Sequence, residues 1–166
     1  MKRRQGRPRV DPVIRFWAKV DKSDGCWLWT GTPNNDGYGR LSVGGRHVLA
    51  HRFSWELHGL GLLGDQGLDH KCLNRMCVNP WHLRVATQSQ NNQNFAGAQR
   101  RNPTGARGVT RTRNGRPYKA QVVHEGTAHY LGRFDTLEAA AQAARDKRLE
   151  LYTHNENDKK VKRLAA

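Results

Sequence analysis

The sequence has few cysteines, few acidic residues and no long apolar run. These shortages bear in turn on disulfide bonding, on the charge of the chain and on membrane insertion. Only three of its 166 residues are cysteine, so they cannot all pair within one chain. Thiolate chemistry in a reducing compartment is the expectation instead. No run of about 18 apolar residues is present to cross a membrane, and no apolar segment follows the basic N-terminus as a secretory signal would require. The sequence therefore predicts a cytoplasmic protein with no membrane partner.

The shortage of acidic residues leaves a strongly basic chain. Lysine and arginine number 29 against 14 acidic residues, a formal net charge of +15. The segment Met1–Val10 has five basic residues and Arg84–Arg116 has seven arginines, and neither contains an acid. Solvated tails or linkers would account for such segments, but this much charge exceeds what solubility needs. It favours a polyanionic partner, and nucleic acid is the expected one.

Aromatic residues are few, yet five are tryptophan, and all five lie within the first 81 positions. A first half of this kind can build only a small core, which often needs a metal or another staple. Composition divides the chain into two candidate domains with flanking segments. The predicted divisions are a basic tail at 1–12, a domain at 13–95, a linker at 96–105, a second domain at 106–156 and a basic C-terminal tail at 157–166.

Two of the three cysteines lie in the stretch LDHKCLNRMCVNPWHL. Four residues separate Cys72 from Cys77, and four more separate Cys77 from His82. Thiolate and imidazole are the ligands that tetrahedral zinc prefers, and Cys26 is the natural fourth. The alternative is three small buried hydrophobes, the common state of free cysteine. The pattern favours a closed structural zinc site that holds a loop rigid.

Polar residues flank this cluster in a pattern that suits cleavage of a phosphodiester. Asp69 and His70 precede it and Asn91 follows it. A neutral histidine can deprotonate water near pH 7. Mg²⁺ (or Mn²⁺) stabilises the phosphate and the leaving oxygen, and it is held by oxygen ligands such as those of Asp69 and Asn91. Asn79 can hold the loop that aims His70 through backbone hydrogen bonds, with an ordinary Asn-Pro turn as an equal alternative.

This stretch, with the asparagines after it, resembles the HNH nuclease motif, and more narrowly the zinc-containing form of phage HNH endonucleases and His-Cys box homing endonucleases. The resemblance covers about residues 20–95. It implies a ββα-metal fold, two strands and a helix around one catalytic ion. By position, His70 is similar to the general base, Asp69 and Asn91 to the metal ligands, and Asn79 to the middle asparagine. The structural zinc set would be Cys26, Cys72, Cys77 and His82.

One further residue matches the resemblance, and two positions of the motif leave alternatives open. Arg40, in GYGR, resembles the arginine that approaches the scissile phosphate in the His-Cys box group. The last motif residue is Asn91 or its neighbour Asn92, and Asp69 is either a second ligand or only a neighbour of the base. His51, in LAHRFSW, is expected to pack beside Phe53 and Trp55 rather than to approach phosphate.

Residues 106–156 carry a separate pattern of three short strands followed by a helix. Asn-Gly and Glu-Gly turn signals separate the strands. The strand-like runs are Gly108–Arg111, Tyr118–His124 and Ala128–Phe134. Asp135, with Glu138 three residues on, predicts the start of the helix through a capping box. The apolar positions expected to lie against the sheet are Leu137, Ala140, Ala141, Ala144 and Leu151.

This second pattern resembles the AP2 DNA-binding domain, through RGV, LGRFDT and EAAAQAA, over about residues 103–155. That family places a three-stranded sheet in the DNA major groove with a helix behind it. Arginine can bind guanine bidentately there, and the alternative is phosphate contacts that carry no sequence information. The residues that would face DNA are Arg107, Arg111, Arg113, Gln121, Tyr130 and Arg133.

The expected fold class is α+β: a small zinc-stabilised ββα-metal domain followed by an AP2-like three-stranded antiparallel sheet packed on one helix. The expected function is cleavage of double-stranded DNA, of phage or homing type, in the cytoplasm of a bacterial host. No small-molecule cofactor is expected, and a monomer and a homodimer both remain open. The alternatives are a non-enzymatic DNA-binding regulator with a vestigial nuclease fold and an RNA-binding or RNA-cleaving protein.

Overall fold

The structure, a computed structural model, describes residues 10–61, 66–95, 101–113 and 115–164. Most of the predicted N-terminal tail, the first half of the predicted linker and Asn114 of the Asn-Gly turn lie outside these ranges. The chain divides into two compact units, Met1–Val85 and Ala86–Ala166. Each unit is described by itself below.

The described residues form five α-helices, one short 3-10 turn and nine strands. The helices are α1 Pro12–Trp17, α2 Ala50–Leu57, α3 Gln88–Gln93, α4 Leu137–Leu151 and α5 Glu156–Leu164, and the 3-10 turn is Pro80–His82. The strands are β1 Val20–Asp21, β2 Leu28–Trp29, β3 Arg40–Val43, β4 Arg46–Leu49, β5 Gly67–His70, β6 Leu83–Ala86, β7 Val109–Arg111, β8 Tyr118–His124 and β9 Thr127–Phe134. They pair as β1–β2, β3–β4, β5–β6 and β7–β8–β9. This mixture of helices and small antiparallel sheets confirms the α+β class. Within the described residues, no helix is long and apolar enough to cross a membrane.

The hairpin of β3 and β4 follows directly from its sequence. The run GRLSVGG alternates apolar and polar residues, and its two strands meet at Gly44 and Gly45, whose φ angles are 56° and 83°. Two successive positive φ angles suit a two-residue turn that matches strand twist, and glycine reaches them without a steric cost. The chain then enters α2, whose C-cap is His58, and Gly59, with φ 69°, follows that cap.

The core of the first unit is built around Trp29. Its fully buried members are Phe16, Trp29, Leu41, Ala50 and Val78. Glycines lie against the Trp29 indole, because a Cβ atom on Gly31 or Gly39 would approach its ring to 2.7 or 2.6 Å. A larger residue at either position would therefore displace the largest side chain of this small core.

In the second unit, the predicted three strands and helix are confirmed to within one residue at each strand. Residues Leu137, Ala140, Ala141, Ala144 and Leu151 pack against the sheet as predicted. The predicted cap is wrong by one position: Thr136, not Asp135, is the N-cap, and its hydroxyl accepts a hydrogen bond from the Ala139 N–H at 3.2 Å. Gly108 has φ 82°, and a Cβ there would lie 2.8 Å from the Gln121 carbonyl oxygen, so the glycine of RGV admits close approach of β8.

The C-terminal residues form a helix where the sequence predicted a basic tail. Helix α5 packs on α4 through a buried ion pair, in which Arg148 donates two hydrogen bonds to Asp158 at 2.7 and 2.9 Å. Both side chains are less than 10% exposed. The basic composition of this segment does not indicate this contact, in which its one acid pairs with a buried arginine of α4.

The boundary between the units falls earlier than the predicted end of the first domain at residue 95. Helix α3 belongs to the second unit, because its residues bond to segments near α5 and β7. Residues 101–105 of the predicted linker are also tied to the second unit. There the Asn102 side-chain amide donates to the carbonyl oxygens of Ala106 and Val109 at 2.8 and 3.0 Å.

Candidate metal centre and nuclease site

Three thiols and one imidazole converge in the first unit. The ligand atoms of Cys26, Cys72, Cys77 and His82 all lie within 4.8 Å of one another. The Nδ1 atom of His82 is 3.5 Å from the Cys26 sulfur and 3.6 Å from the Cys77 sulfur. These four residues, predicted from spacing, can therefore hold one metal ion. The donor set of three sulfur atoms and one nitrogen is consistent with a structural zinc site.

Backbone pairing brings the distant Cys26 to the other three ligands. The Val78 N–H donates to the Trp27 carbonyl at 2.8 Å, and the Trp29 N–H donates to the Met76 carbonyl at 2.9 Å. The Asn79 side chain closes the same junction, since its amide donates to the Gly25 carbonyl at 2.9 Å. Its carbonyl oxygen accepts from the Trp81 N–H at 3.0 Å and caps the 3-10 turn. Asn79 thus holds the loop through backbone hydrogen bonds.

A tight knuckle places Cys72 and Cys77 side by side. Leu73 has φ 63°, a left-handed conformation that is uncommon for a side chain of this kind. The Cys77 N–H then donates to the Asn74 carbonyl, and the Met76 N–H donates to the Asn74 side-chain oxygen. Strained backbone of this kind persists where the surroundings over-determine it. A metal that binds both sulfur atoms would supply such a constraint.

The two neighbouring thiols, Cys72 and Cys77, differ in how readily they lose a proton. A hydrogen bond from the Cys77 thiol lowers the pKa of Cys72, while that same contact, together with burial, raises the pKa of Cys77. The first proton of the pair therefore leaves readily and the second is held. Metal binding requires both thiolates, so it would release the second proton as well.

His70 lies at the end of β5 and is 5% exposed. Its Nε2 atom is 3.0 Å from the Cys77 carbonyl oxygen. Because a carbonyl only accepts, Nε2 carries the hydrogen and Nδ1 carries the lone pair. Burial lowers the pKa of His70, although the Cys77 carbonyl and the nearby Cys72 and Asp69 act in the opposite direction. The imidazole is consequently neutral near pH 7, the state that a general base needs.

Two aromatic rings that the sequence did not assign to the site surround His70. The ring of His51 lies 4.8 Å from that of His70, and Tyr38 lies 5.3 Å from His51 and 5.9 Å from His70. His51 is 3% exposed, and its Nδ1 atom has no hydrogen-bond partner within the described residues. Burial, and then the charge of His70, lower the pKa of His51 to about 3. No spacing rule connects His51 to His70, because the contact arises from the placement of α2.

Asp69 is buried, and its carboxylate pairs with Arg84 of β6. The Arg84 Nε atom donates to Asp69 Oδ2 at 2.8 Å. An oxygen ligand at Asp69 has the chemistry that Mg²⁺ or Mn²⁺ prefers, but any ion there would share the carboxylate with Arg84.

The other residues predicted for catalysis are placed as follows. Arg40 is exposed on β3, and its backbone N–H donates to the Thr32 carbonyl at 3.1 Å. Asn91 is half-buried on α3 in the second unit, whereas Asp69 and His70 belong to the first. The Asn92 side-chain oxygen accepts a hydrogen bond from Gln88 at 3.1 Å. This is an i,i+4 side-chain contact within α3.

The sheet of the second unit has an outer face that points away from α4. Cross-strand partners share a face, and the register pairs Lys119 with Thr110 and with Arg133. Gln121 pairs with Tyr130, which is 59% exposed. Of the predicted DNA-facing residues, Gln121, Tyr130 and Arg133 thus lie together on this face. Lys119, which the sequence analysis did not single out, lies between Thr110 and Arg133.

The other three predicted DNA-facing residues, all arginines, lie elsewhere on the second unit. Arg111 is the cross-strand partner of Tyr118, whose side chain packs toward α4. The register therefore places Arg111 at the end of β7 on the face of the sheet that carries Tyr118. Arg107 is half-buried, and its guanidinium donates to backbone carbonyls at the end of α3. Arg113 is exposed beyond the end of β7. The alternation of side chains along β8 could have identified Lys119 as a residue of the outer face. The contacts of Arg107 could not be found in this way, because they join segments that are distant in sequence.

Comparison with known proteins finds bacteriophage relatives of part of the chain. It is 40% identical over 72 residues to Protein 2.8 of Escherichia phage T7, a match that covers 42% of this chain and 48% of that protein. It is 40% identical over 57 residues to the Uncharacterized gene 5.3 protein of Enterobacteria phage T3, covering 31% and 56%. Protein 7.7 of phage T7 is 37% identical over 71 residues, covering 42% and 54%. The chain thus spans about half the length of the curated relatives it matches. No family model and no solved structure matches the chain.

Proposed function

We propose that the protein is a metal-dependent DNA endonuclease of the HNH type. The observation that carries this proposal is the setting of His70. The residue is buried at the end of β5, and its Nε2 atom lies against the carbonyl of Cys77, which is one of the four residues that could hold a metal ion. This setting keeps the imidazole neutral and fixes its tautomer, as a general base for water requires. The phage relatives are consistent with action in a bacterial host cytoplasm.

The chain's own residues would carry out hydrolysis as follows. His70 Nδ1 takes a proton from a water molecule as the water oxygen attacks phosphorus. The bond between phosphorus and the 3′ oxygen breaks, and the leaving oxygen takes a proton from solvent, which gives 5′-phosphate and 3′-hydroxyl ends. Arg40, exposed on β3, is proposed to approach the phosphate. Mg²⁺ or Mn²⁺, held by oxygen atoms of Asp69 and Asn91, would supply stabilisation of the charge that develops on phosphate and leaving oxygen.

The metal held by Cys26, Cys72, Cys77 and His82 has a different proposed role. Four protein ligands close a tetrahedral zinc site and leave no open position for a substrate. A metal bound there would supply rigidity: it would fix the knuckle around Leu73 and thereby the Cys77 carbonyl that orients His70. We propose zinc as a structural cofactor here, with Mg²⁺ or Mn²⁺ as the catalytic one.

The second unit is proposed to bind double-stranded DNA through the outer face of its AP2-like sheet. Lys119 and Arg133 supply positive charge in one cross-strand pair, and Gln121 and Tyr130 supply hydrogen-bonding groups in the next. Lys119 also lies 5.6 Å from the ring of Tyr130. A β-ribbon with this mixture fits the major groove. Tethering this face to the nuclease would raise the local concentration of its target.

The test is cleavage of supercoiled plasmid and long phage DNA by the purified full chain. We expect cutting with Mg²⁺ or Mn²⁺, none with a chelator, and a loss of about 10²-fold or more in the His70→Ala variant. The matched control is His47→Ala, which removes an exposed histidine of β4 and should leave cutting intact. Equal cutting by wild type and His70→Ala would remove His70 from the mechanism.

One observation favours a second candidate, a DNA-binding regulator without catalysis. Arg84 pairs with the carboxylate of Asp69, the residue proposed to bind the catalytic ion. If this pair is permanent, an ion cannot bind there and the fold would serve only to hold DNA. Tight binding of duplex DNA with no cutting under any divalent ion would support this candidate.

A further inference from the structure

A tight turn of the first unit, at residues 34–38, places an aromatic ring beside His70. The Asn34 side-chain oxygen accepts hydrogen bonds from the N–H groups of Asp36 and Tyr38 at 3.1 and 2.8 Å. The Asn34 N–H donates to the Tyr38 carbonyl at 2.8 Å, and Gly37 supplies the left-handed position of the turn with φ 82°. The Tyr38 ring therefore has a fixed place, with its centroid 5.9 Å from that of the His70 ring.

Arg75 extends from the knuckle of the metal-ligand loop to this turn. Its Nη1 atom donates to the Asp36 carbonyl at 2.7 Å. Its guanidinium carbon lies 5.2 Å from the centroid of the Tyr38 ring, which is within the range of a cation–π contact. A Cβ atom on Gly37 would lie 3.9 Å from the Arg75 Cδ atom, so the side-chain stem passes close to the glycine. These contacts hold the guanidinium in one place although the residue is exposed.

The positive charge of Arg75 is not neutralised by a neighbouring acid. Within the residues that the structure describes, no carboxylate forms an ion pair with Arg75, whereas Arg84 pairs with Asp69. The Asp36 carbonyl carries no formal charge and takes only one of the five N–H groups of the guanidinium. Arg75 is thus a fixed cation with hydrogen-bond donors to spare, a combination that suits an anionic ligand.

This cation lies near the imidazole of His70. Burial is the largest cause that lowers the pKa of His70, and the positive charge of Arg75 lowers it further. The Tyr38 ring is a neighbour of both the guanidinium and the imidazole. All three residues belong to the first unit, so their arrangement does not depend on how the two units are placed. An anion bound by Arg75 would therefore lie close to the residue proposed as general base.

We propose that Arg75 binds a backbone phosphate of the DNA strand that is cut and holds that strand against His70. This role rests on the proposed nuclease function and adds a binding residue that the motif did not assign. A guanidinium binds two phosphate oxygens at once through its planar fork. Because the Asp36 carbonyl and the Tyr38 ring fix Arg75 before DNA arrives, little side-chain freedom is lost on binding. Arg40, proposed to approach the phosphate from β3, would act beside it.

The first experiment measures cleavage of plasmid DNA by the zinc-loaded full chain at saturating protein, where weaker binding no longer limits the rate. We expect Arg75→Ala to cut at least about tenfold more slowly than wild type. Millimolar guanidinium should restore part of the rate, since it can bind where the side chain was. The matched control is Arg46→Ala, which removes an exposed arginine of β4 and should cut at the wild-type rate.

The second experiment measures DNA binding without cutting. Each variant also carries His70→Ala, and the dissociation constant for duplex DNA is measured over a range of salt concentrations. A phosphate contact adds about 0.9 to the slope of log affinity against log salt. We therefore expect the slope to be shallower by about one in Arg75→Ala, and an unchanged slope would overturn the inference.

The Arg75→Gln variant separates the loss of charge from a loss of structure. Its amide can still donate to the Asp36 carbonyl but carries no charge, so we expect wild-type zinc content with the same loss of rate as in Arg75→Ala. A wild-type rate in Arg75→Gln, or in a folded Arg75→Ala, would overturn the inference. An equal loss of rate in Arg46→Ala would also overturn it, because the effect would then be that of any surface charge.

Failure of the nuclease proposal would have a different outcome from failure of this inference. If wild type binds duplex DNA but cuts none with any divalent ion, the nuclease proposal fails. The salt dependence of binding in Arg75→Gln then still decides whether this arginine binds phosphate.

Discussion

The two units reach a packed state by different means. The first buries aromatic rings, with Trp29 enclosed by glycines and Phe16, and it gathers three cysteines and a histidine at one point. The second buries small residues between a sheet and a helix and joins α4 to α5 through an ion pair. Strands of two to four residues in the first unit cannot form an extended sheet. We therefore expect its stability to come from the core and from a metal ion that Cys26, Cys72, Cys77 and His82 could hold, whereas the second unit relies on regular secondary structure.

This difference indicates which perturbation each unit should resist. A metal ion that binds only the folded state adds its binding free energy directly to the free energy of unfolding. A buried ion pair contributes less than its geometry suggests, but breaking it leaves one buried charge without a partner. The two units should consequently lose structure under separate treatments, and the following experiments test that separation.

Removal of zinc should have the largest effect, and only on the first unit. We expect about one zinc per chain in the purified protein, lost in Cys72→Ser or with a strong chelator. Structural zinc contributes roughly 10 kcal/mol or more to small domains, so the first unit should unfold. Scanning calorimetry should then show one transition where the zinc-loaded protein shows two. Two unchanged transitions in Cys72→Ser would contradict the structural role of the metal.

Breaking the Arg148–Asp158 pair should have the next largest effect, on the second unit alone. Asp158→Asn leaves Arg148 buried without its charge partner and should cost about 3–5 kcal/mol of unfolding free energy. The control is Glu150→Gln at the exposed Lys147–Glu150 pair, where we expect less than about 1 kcal/mol. Denaturant unfolding measures both values. Zinc content should stay at one per chain, and a loss of zinc in Asp158→Asn would show that the units are coupled.

Acidification should have a smaller effect, through His51 in the first unit. Its pKa is lowered to about 3 from 6.5 by burial and by His70. Because the unfolded chain binds the proton first, stability falls as pH drops below 6.5, by about 2 kcal/mol at pH 5. His70, whose pKa is also lowered, acts in the same direction. The slope between pH 7 and pH 5 should be reduced in His51→Gln, and an equal slope would exclude His51 as the cause.

The sequence predicted secondary structure best where the pattern of apolar and polar residues repeats over a short segment. The strands and helix of the second module follow from alternation and from alanine spacing, and the β3–β4 hairpin follows from Gly-Gly. The cap of α4 was missed by one residue, because Asp135 and Thr136 are both good capping residues and only the backbone conformation distinguishes them. The grouping of Cys26 with the other ligands was accessible because cysteine is so scarce in this chain.

The remaining features depend on contacts between distant segments. His51 meets His70 only because α2 packs against the end of β5, and Arg84 meets Asp69 only across a strand pair. Arg107 looked like another DNA-binding arginine in a basic segment, and its bonds to α3 could not be read from composition. The predicted domain limits and the catalytic assignments stay predictions that the experiments above address.

The tryptophans of the first unit make that unit separately observable. Trp17, Trp27, Trp29, Trp55 and Trp81 all precede residue 85, whereas the second unit contains tyrosine but no tryptophan. Light absorbed near 295 nm will therefore excite the first unit alone. Trp81 is 65% exposed and adjoins the metal ligand His82, while Trp29 is 2% exposed. Emission from this chain thus reports the folding of its metal-holding half without a label, against the silent background of the other.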